Sequence, residues 1–253
     1  MCMKRRFLFA SLIASILVVP VARSADRPFL IEVYGQAGFA DQSLADQRID
    51  RINEHWGTDF ETWNDPTVQY LGARLLKEVS PRWMIGLQAE YGRAPMSRSA
   101  LAIPPFEPPT EHKFVLKQES DLADLMVVGR RSLCSSCRRL DPFVHVGAGV
   151  GYATGSTHFE ANPTVPHLFY NYLRLESDGW FPVATVALGV STPLNDGGRW
   201  FLELGTGYQW GRLSHDVRVE GPLRFPGEPG GEQVSTETNA TGASFWLGLG
   251  ARF

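Results

Sequence analysis

The carboxy-terminal stretch Ala243-Ser244-Phe245-Trp246-Leu247-Gly248-Leu249-Gly250-Ala251-Arg252-Phe253 decides the fold. Side chains alternate between the two faces of a strand. Ala243, Phe245, Leu247, Leu249, Ala251 and Phe253 therefore share one apolar face, and Ser244, Trp246, Gly248, Gly250 and Arg252 share the other. The greasy file is continuous, the opposite file is small or polar, and the strand ends on an aromatic residue. A strand of this kind needs an apolar environment on one side only.

The same two-residue period recurs upstream. Phe29 to Phe39 places Phe29, Ile31, Val33, Ala37 and Phe39 against Glu32, Tyr34 and Gln36. Further segments are Thr67 to Lys77, Trp83 to Gly92, a run centred on Ala123-Leu125-Val127, Val144 to Tyr152, Ala184 to Ser191 and Trp200 to Trp210. Short turns (Ser80-Pro81-Arg82, Ser132 to Asp141, Asn195-Asp196-Gly197-Gly198) alternate with long polar connections: Ala40 to Pro66, one carrying Pro95, Pro104, Pro105, Pro108 and Pro109, Ala153 to Trp180, and Gly211 to Asn239. Proline is excluded from central strands, so the second connection is read as loop from Pro95 onward. Leu116 to Asp121 (LKQESD) echoes Leu173 to Asp178 (LRLESD), each just before a descending strand, and the pair reads as strand extensions rising above the membrane.

Length, charge and hydropathy narrow the class. The chain has 253 residues, enough for one large domain, and a net charge of −3 that gives no basic excess for nucleic acid. Mean hydropathy is −0.15, a value open to a membrane barrel because half of each strand faces a polar interior. At the amino terminus Lys4, Arg5 and Arg6 precede an apolar run from Phe7 to Val19, then Pro20 and Ala22-Arg23-Ser24. This reads as a signal peptide over residues 1–25, with the barrel over residues 26–253.

Together these features predict an all-β, antiparallel transmembrane β-barrel of about eight strands, with short periplasmic turns and long external loops. An unpaired backbone group in lipid costs several kcal/mol, so the sheet must close. Phe29–Phe39 and Ala243–Phe253 are thus expected as antiparallel neighbours. A soluble β-sandwich is the rival. Aromatics at strand ends (Phe29, Phe39, Trp83, Tyr91, Tyr152, Trp200, Trp210, Phe253) and charges on the non-greasy file count against it.

The inward file carries Glu32, Arg74, Glu90, Asp124, Arg130, His145, Glu203 and Arg252. An eight-strand barrel is just wide enough for side chains to fill it, so these are expected to pair across the lumen and plug it. His145 reads as an interior hydrogen-bonding group or a pH-sensitive latch. Cys134 and Cys137 are a candidate disulfide in an oxidising compartment, since a zinc site would need a second pair. No histidine spacing suggests a metal, and no cofactor is expected. Ser97 or Ser99 with His112, and Ser156 with His158, are the conceivable reactive pairs, but none forms a recognisable motif. The first connection is acidic, and Ile49, Ile52 and Trp56 fall at helical spacing.

The chain resembles the small OmpA-type and opacity-type outer-membrane barrels. The likeness rests on leader, topology and terminal Phe253 and covers nearly all of residues 26–253, with the closing strand its one specific signal. It implies outer-membrane localisation, lipid and the barrel assembly machinery as partners, Phe253 as an assembly signal, and an extracellular ligand read by the loops. It carries over no catalytic residue. The full OmpA pattern adds a peptidoglycan-binding domain after the barrel, and none is expected here. The functional expectation is a non-enzymatic structural or surface-binding barrel. The alternatives are a narrow channel for a small solute and a lipid-modifying enzyme.

Overall fold

A computed structural model describes residues 28–40, 50, 53–54, 59–60, 67–102, 112–134, 137, 139–162, 172–220, 233–239 and 241–253. The leader, residues 1–25, and the helical spacing at Ile49, Ile52 and Trp56 lie outside them. Asp50, Asn53 and Glu54 in the first connection are helical, and Asn53 clamps Phe60 by two side-chain to backbone hydrogen bonds of 2.9 Å.

The strands are β1 (Phe29–Ala40), β2 (Thr67–Ser80), β3 (Trp83–Ala102), β4 (His112–Ser132), β5 (Asp141–Asn162), β6 (Tyr172–Pro193), β7 (Trp200–Glu220), β8 (Gln233–Asn239) and β9 (Gly242–Arg252). Every pairing is antiparallel, and each strand from β1 to β7 pairs with the next. β8 and β9 are consecutive lengths of one stave, pairing with the upper and lower parts of β7 respectively. The nine segments therefore make eight staves. β9 then pairs with β1 from Leu30↔Arg252 to Ala40↔Gly242, which closes the cylinder as expected.

Closure turns the sheet inside out relative to a soluble fold. Val33 and Leu249 are 39% and 49% exposed, while Glu32 and Glu203 are 0% exposed. Leu71, Leu87, Val127, Leu188, Leu204 and Leu247 join the outward belt. Phe39, Trp180, Tyr208, Trp210 and Phe245 ring its upper part, and Trp83, Trp200 and Phe253 ring its lower edge. At that lower edge Lys77 lies over Phe29, Arg131 over Trp83 and Arg199 over Phe253, at 5.2, 5.5 and 5.3 Å from the ring centroids. Aromatic rings at the interface with cations beyond them fix the depth of a membrane protein. The exposed apolar belt and its aromatic rims are those of a membrane-spanning β-barrel, whose short turns mark the end expected to face the periplasm.

Turn chemistry sets the periplasmic ends. Gly198 has φ of 63°, the left-handed region that glycine occupies without cost. Its N–H donates to Asn195 O at 2.9 Å. The Ser132 to Asp141 turn is closed by the Cys134–Cys137 disulfide and by Leu133 N–H donating to Pro142 O at 2.8 Å.

The strands run further than their alternation suggests. A spanning strand needs about 9–11 residues, whereas β3 has 20 and β5 and β6 have 22 each. Where they are described, the expected loops are instead strand at 95–102, 153–162, 172–179, 211–220 and 233–239, and the rest of them lies outside the described residues. The LKQESD and LRLESD echoes do lie within strands, in β4 and β6. Above the membrane both faces are wet, so the apolar period ends although pairing continues. Pro95 is tolerated because the β2–β3 ladder stops at Gln69↔Arg93, leaving β3 paired only with β4 at the proline.

One ladder is broken. β6 and β7 pair from Val183↔Gly211 downward and again from Glu176↔Arg218 upward, in the same register. Between them, Ser177 to Pro182 and Arg212 to Val217 do not pair with each other. Pro182 supplies no N–H at the lower end of this gap.

Two outcomes follow from these features. Hydrogen exchange should be faster on average at the amides of 177–182 than at those of 183–190, and uniform protection across β6 would count against the gap. Replacing both Cys134 and Cys137 by serine should cost no more than about 2 kcal/mol in urea titrations, because the bridge closes a very short loop that the β4–β5 hairpin already holds.

Candidate functional site

The lumen concentrates the polar chemistry of the described residues. Even-numbered positions on β1 to β4 and on β9 point inward, as do odd-numbered positions on β5 to β7. Each charge therefore reaches the interior by its parity in the strand. Glu32 lies opposite Arg74 in the β1–β2 ladder, and Arg74 opposite Gln88 in the β2–β3 ladder.

Arg74 is the hub. Its Nη1 is 3.1 Å from Glu32 Oε2 and 3.8 Å from Glu203 Oε2, and its Nε donates to Gln88 Oε1 at 2.7 Å. Its guanidinium stacks 4.0 Å from the Tyr34 ring centroid and 4.9 Å from that of Trp246. Glu203 also pairs with Arg130, which stacks 3.7 Å from the Phe143 ring centroid. On the other side Gln88 Nε2 donates to Glu90 Oε1 at 2.9 Å, and Tyr34 OH donates to the same oxygen at 2.5 Å. One connected network thus joins Arg130, Glu203, Arg74, Glu32, Gln88, Glu90 and Tyr34. Aromatic rings brace it, and facing glycines leave them room: a Cβ at Gly205 would strike Trp246, and one at Gly72 would strike Tyr34.

The other candidates stand apart. Asp124 lies opposite Glu90 in the β3–β4 ladder, but its hydrogen bond is from Gln209 Nε2, at 2.9 Å. His145 is 1% exposed and faces Arg130 across the β4–β5 ladder, yet neither ring nitrogen has a hydrogen-bond partner among the described residues. Arg252 forms no ion pair with a described carboxylate, because its place near the end of β9 puts it at the periplasmic mouth, below the network. Its guanidinium sits 5.6 Å from the Phe201 ring centroid.

Tyr34, Gln88, Gln209 and Trp246 are equal members of this interior that charge alone does not single out. Their signal is parity: each shares its strand's inward file with a charged residue. Phe253 faces outward, 48% exposed, and its backbone pairs with Phe29 in both directions at 2.9 and 3.0 Å.

Among the described residues no group of three or more His, Cys, Asp or Glu could hold a metal ion. The backbone register sets His112 opposite Ala102, three residues beyond Ser99 and so about 10 Å along the ladder. The side chains of Ser97, Ser99, His112 and His158 lie outside the described residues.

No protein-family model matches the chain, and no curated protein sequence matches it. Solved structures similar to it are outer-membrane proteins. The outer membrane protein OprG from Pseudomonas aeruginosa is 13% identical, with 90% of this chain and 96% of that chain covered and a TM-score of 0.45. A major outer membrane protein from Thermus thermophilus is 13% identical over 89% of this chain and 99% of that one, with a TM-score of 0.46. The outer membrane protease OmpT from Escherichia coli is 9% identical over 91% and 98%, with a TM-score of 0.40.

Proposed function

We propose that this barrel is a non-enzymatic surface protein whose lumen is plugged and whose work is done by its extracellular end. The observation that carries the reading is the Arg74-centred network. Seven interior groups from five strands are linked by ion pairs and hydrogen bonds across the bore, which supports a lumen filled by its own side chains.

The upper strands support the same reading. β3 to β7 extend well past the aromatic ring, and β8 carries the closing stave up beside β7, whereas β1 and β2 have only 12 and 14 residues. The wall therefore rises on one side and is low on the other. At its outer surface Arg93 pairs with Glu119 at 3.4 Å and lies 3.8 Å from Asp121, and Tyr91 OH donates to Asp121 at 2.8 Å. Exposed ion pairs of this kind belong in water or among lipid headgroups, not in hydrocarbon. The raised sheet is a rigid mount for the connections at its tip, where an extracellular ligand would be recognised. Outer-membrane lipid around the belt and the assembly machinery at Phe253 complete the proposed partners.

The broken β6–β7 ladder favours a second reading, a barrel that modifies lipid. Trp180 and Pro182 are exposed at the gap, and apolar Phe181, Val183 and Leu213 lie behind it. Lipid mass spectrometry on cells with and without the protein decides this reading, and an unchanged pattern removes it.

In planar bilayers the wild-type protein should give no stable conductance steps, and truncating the hub with Arg74→Ala should produce them. Steps from the wild type at the same protein density would overturn the plug. Replacing Arg74 by methionine should also lower stability by about 3–5 kcal/mol, since it leaves Glu32 buried without its cation, while Glu203 keeps Arg130. Urea titration of tryptophan fluorescence in vesicles reads this, and a loss under about 1 kcal/mol would mean that the pairs are not held as a unit.

A further inference from the structure

Below the network the barrel is open to the periplasm. A pocket of about 800 Å³ lies there, lined by Arg139, Asp141, Ser191, Asn195 and Arg252 among others. Small-molecule sites fall in the range of about 300–1,000 Å³. A second cavity of about 220 Å³ shares Asp141 and Arg252 with the first and reaches inward to Arg130. The two form a stepped cup whose floor is the charged layer of the lumen.

Two guanidiniums, Arg130 of β4 and Arg252 of β9, line the smaller cavity. Arg252 Nε is buried and meets no acceptor among the described residues. Arg130 spends Nη1 on Glu203, and its Nη2 is likewise buried without an acceptor. Arginine stays protonated in proteins, so neither group can escape by losing its charge. A buried donor without an acceptor costs about 1–3 kcal/mol, and more when charged. Three carboxylates share the cavity walls with these arginines, Glu78, Asp141 and Asp196, and none forms an ion pair with Arg252; Asp141 Oδ1 accepts from Ser132 Oγ at 2.5 Å.

We propose that this cup binds a phosphate-bearing solute from the periplasm, with Arg252 and Arg130 as its donors. Two separated guanidiniums suit a tetrahedral oxyanion, whose oxygens point apart, better than one planar carboxylate. Ser191 and Asn195 on the wall supply neutral hydrogen-bonding groups for the remainder of the solute. The site does not depend on the extracellular role, and its failure would leave the plug untouched, because conductance and anion binding are read separately.

The test is calorimetric titration of the folded protein, in neutral maltoside micelles at about 0.15 M chloride, with inorganic phosphate and with glycerophosphoglycerol. Saturable binding is expected, weakened at least tenfold by Arg252→Gln and strengthened by Asp141→Asn, which removes a competing anion. Arg252→Gln breaks no ion pair, so it should fold, and its resistance to dodecyl sulfate checks that it has. Absence of saturable binding, or equal affinity in Arg252→Gln, overturns the proposal. Adding phosphatidylglycerol to the micelles assigns the source: competition points to a lipid headgroup, and none points to a free solute. Both of those results uphold the site.

Discussion

The interaction on which the structure depends is the backbone ladder between β1 and β9. A sheet in hydrocarbon has no water to satisfy an edge, so two open edges would each leave a row of costly N–H and C=O groups. Joining the last strand to the first removes both rows at once. Everything else follows from that closure. Once the sheet is a cylinder, one parity of every strand must face lipid and the other must face a narrow bore. The sequence then has to supply leucine, valine and aromatics outside, and groups that satisfy each other inside.

The inside is the harder problem, because charges there have left water without reaching a solvent. Arg74 solves it by serving two carboxylates, an amide and two aromatic faces together. A buried ion pair is weak evidence for added stability, since desolvation offsets much of the attraction. Its consequence here is specificity. A one-residue slip of β2 against β1 would carry Arg74 to the lipid face and leave Glu32 alone, so the network and the closing register support each other.

Much of this was legible in the chain. Parity marked Phe29–Phe39 and Ala243–Phe253 as strands, the need to close the sheet placed them side by side, and the observed ladder pairs them throughout. The inward position of the eight charged or histidine residues was readable for the same reason. Their partners were not, because parity gives a face and not a height. Arg252 illustrates the difference: it has the right parity, yet it sits below the other charges and joins none of them. Strand length was misread wherever both faces are wet. Thr154, Ser156 and Asp178 pair in a ladder as regular as that of Leu125, but no apolar file marks them. Pro95 misled for a subtler reason. The rule against proline in central strands holds, but at that height β3 has lost its β2 neighbour and is no longer central.

The two ends of the barrel are thus physically different objects separated by one charged layer. Above it, long strands on one side and short ones on the other give an uneven rim, with Arg93, Glu119 and Asp121 showing where lipid tails end. Below it, short turns and the Cys134–Cys137 bridge leave a mouth whose outer edge is ringed by cation–aromatic pairs and whose inner wall holds arginine donors without acceptors among the described residues. The closed layer proposed above would let the two ends differ in this way. If the bore conducted, a single electrostatic profile would have to serve passage from end to end, and unpaired arginines at one mouth would set its selectivity. With the bore filled, as proposed, each end would be free to carry its own chemistry.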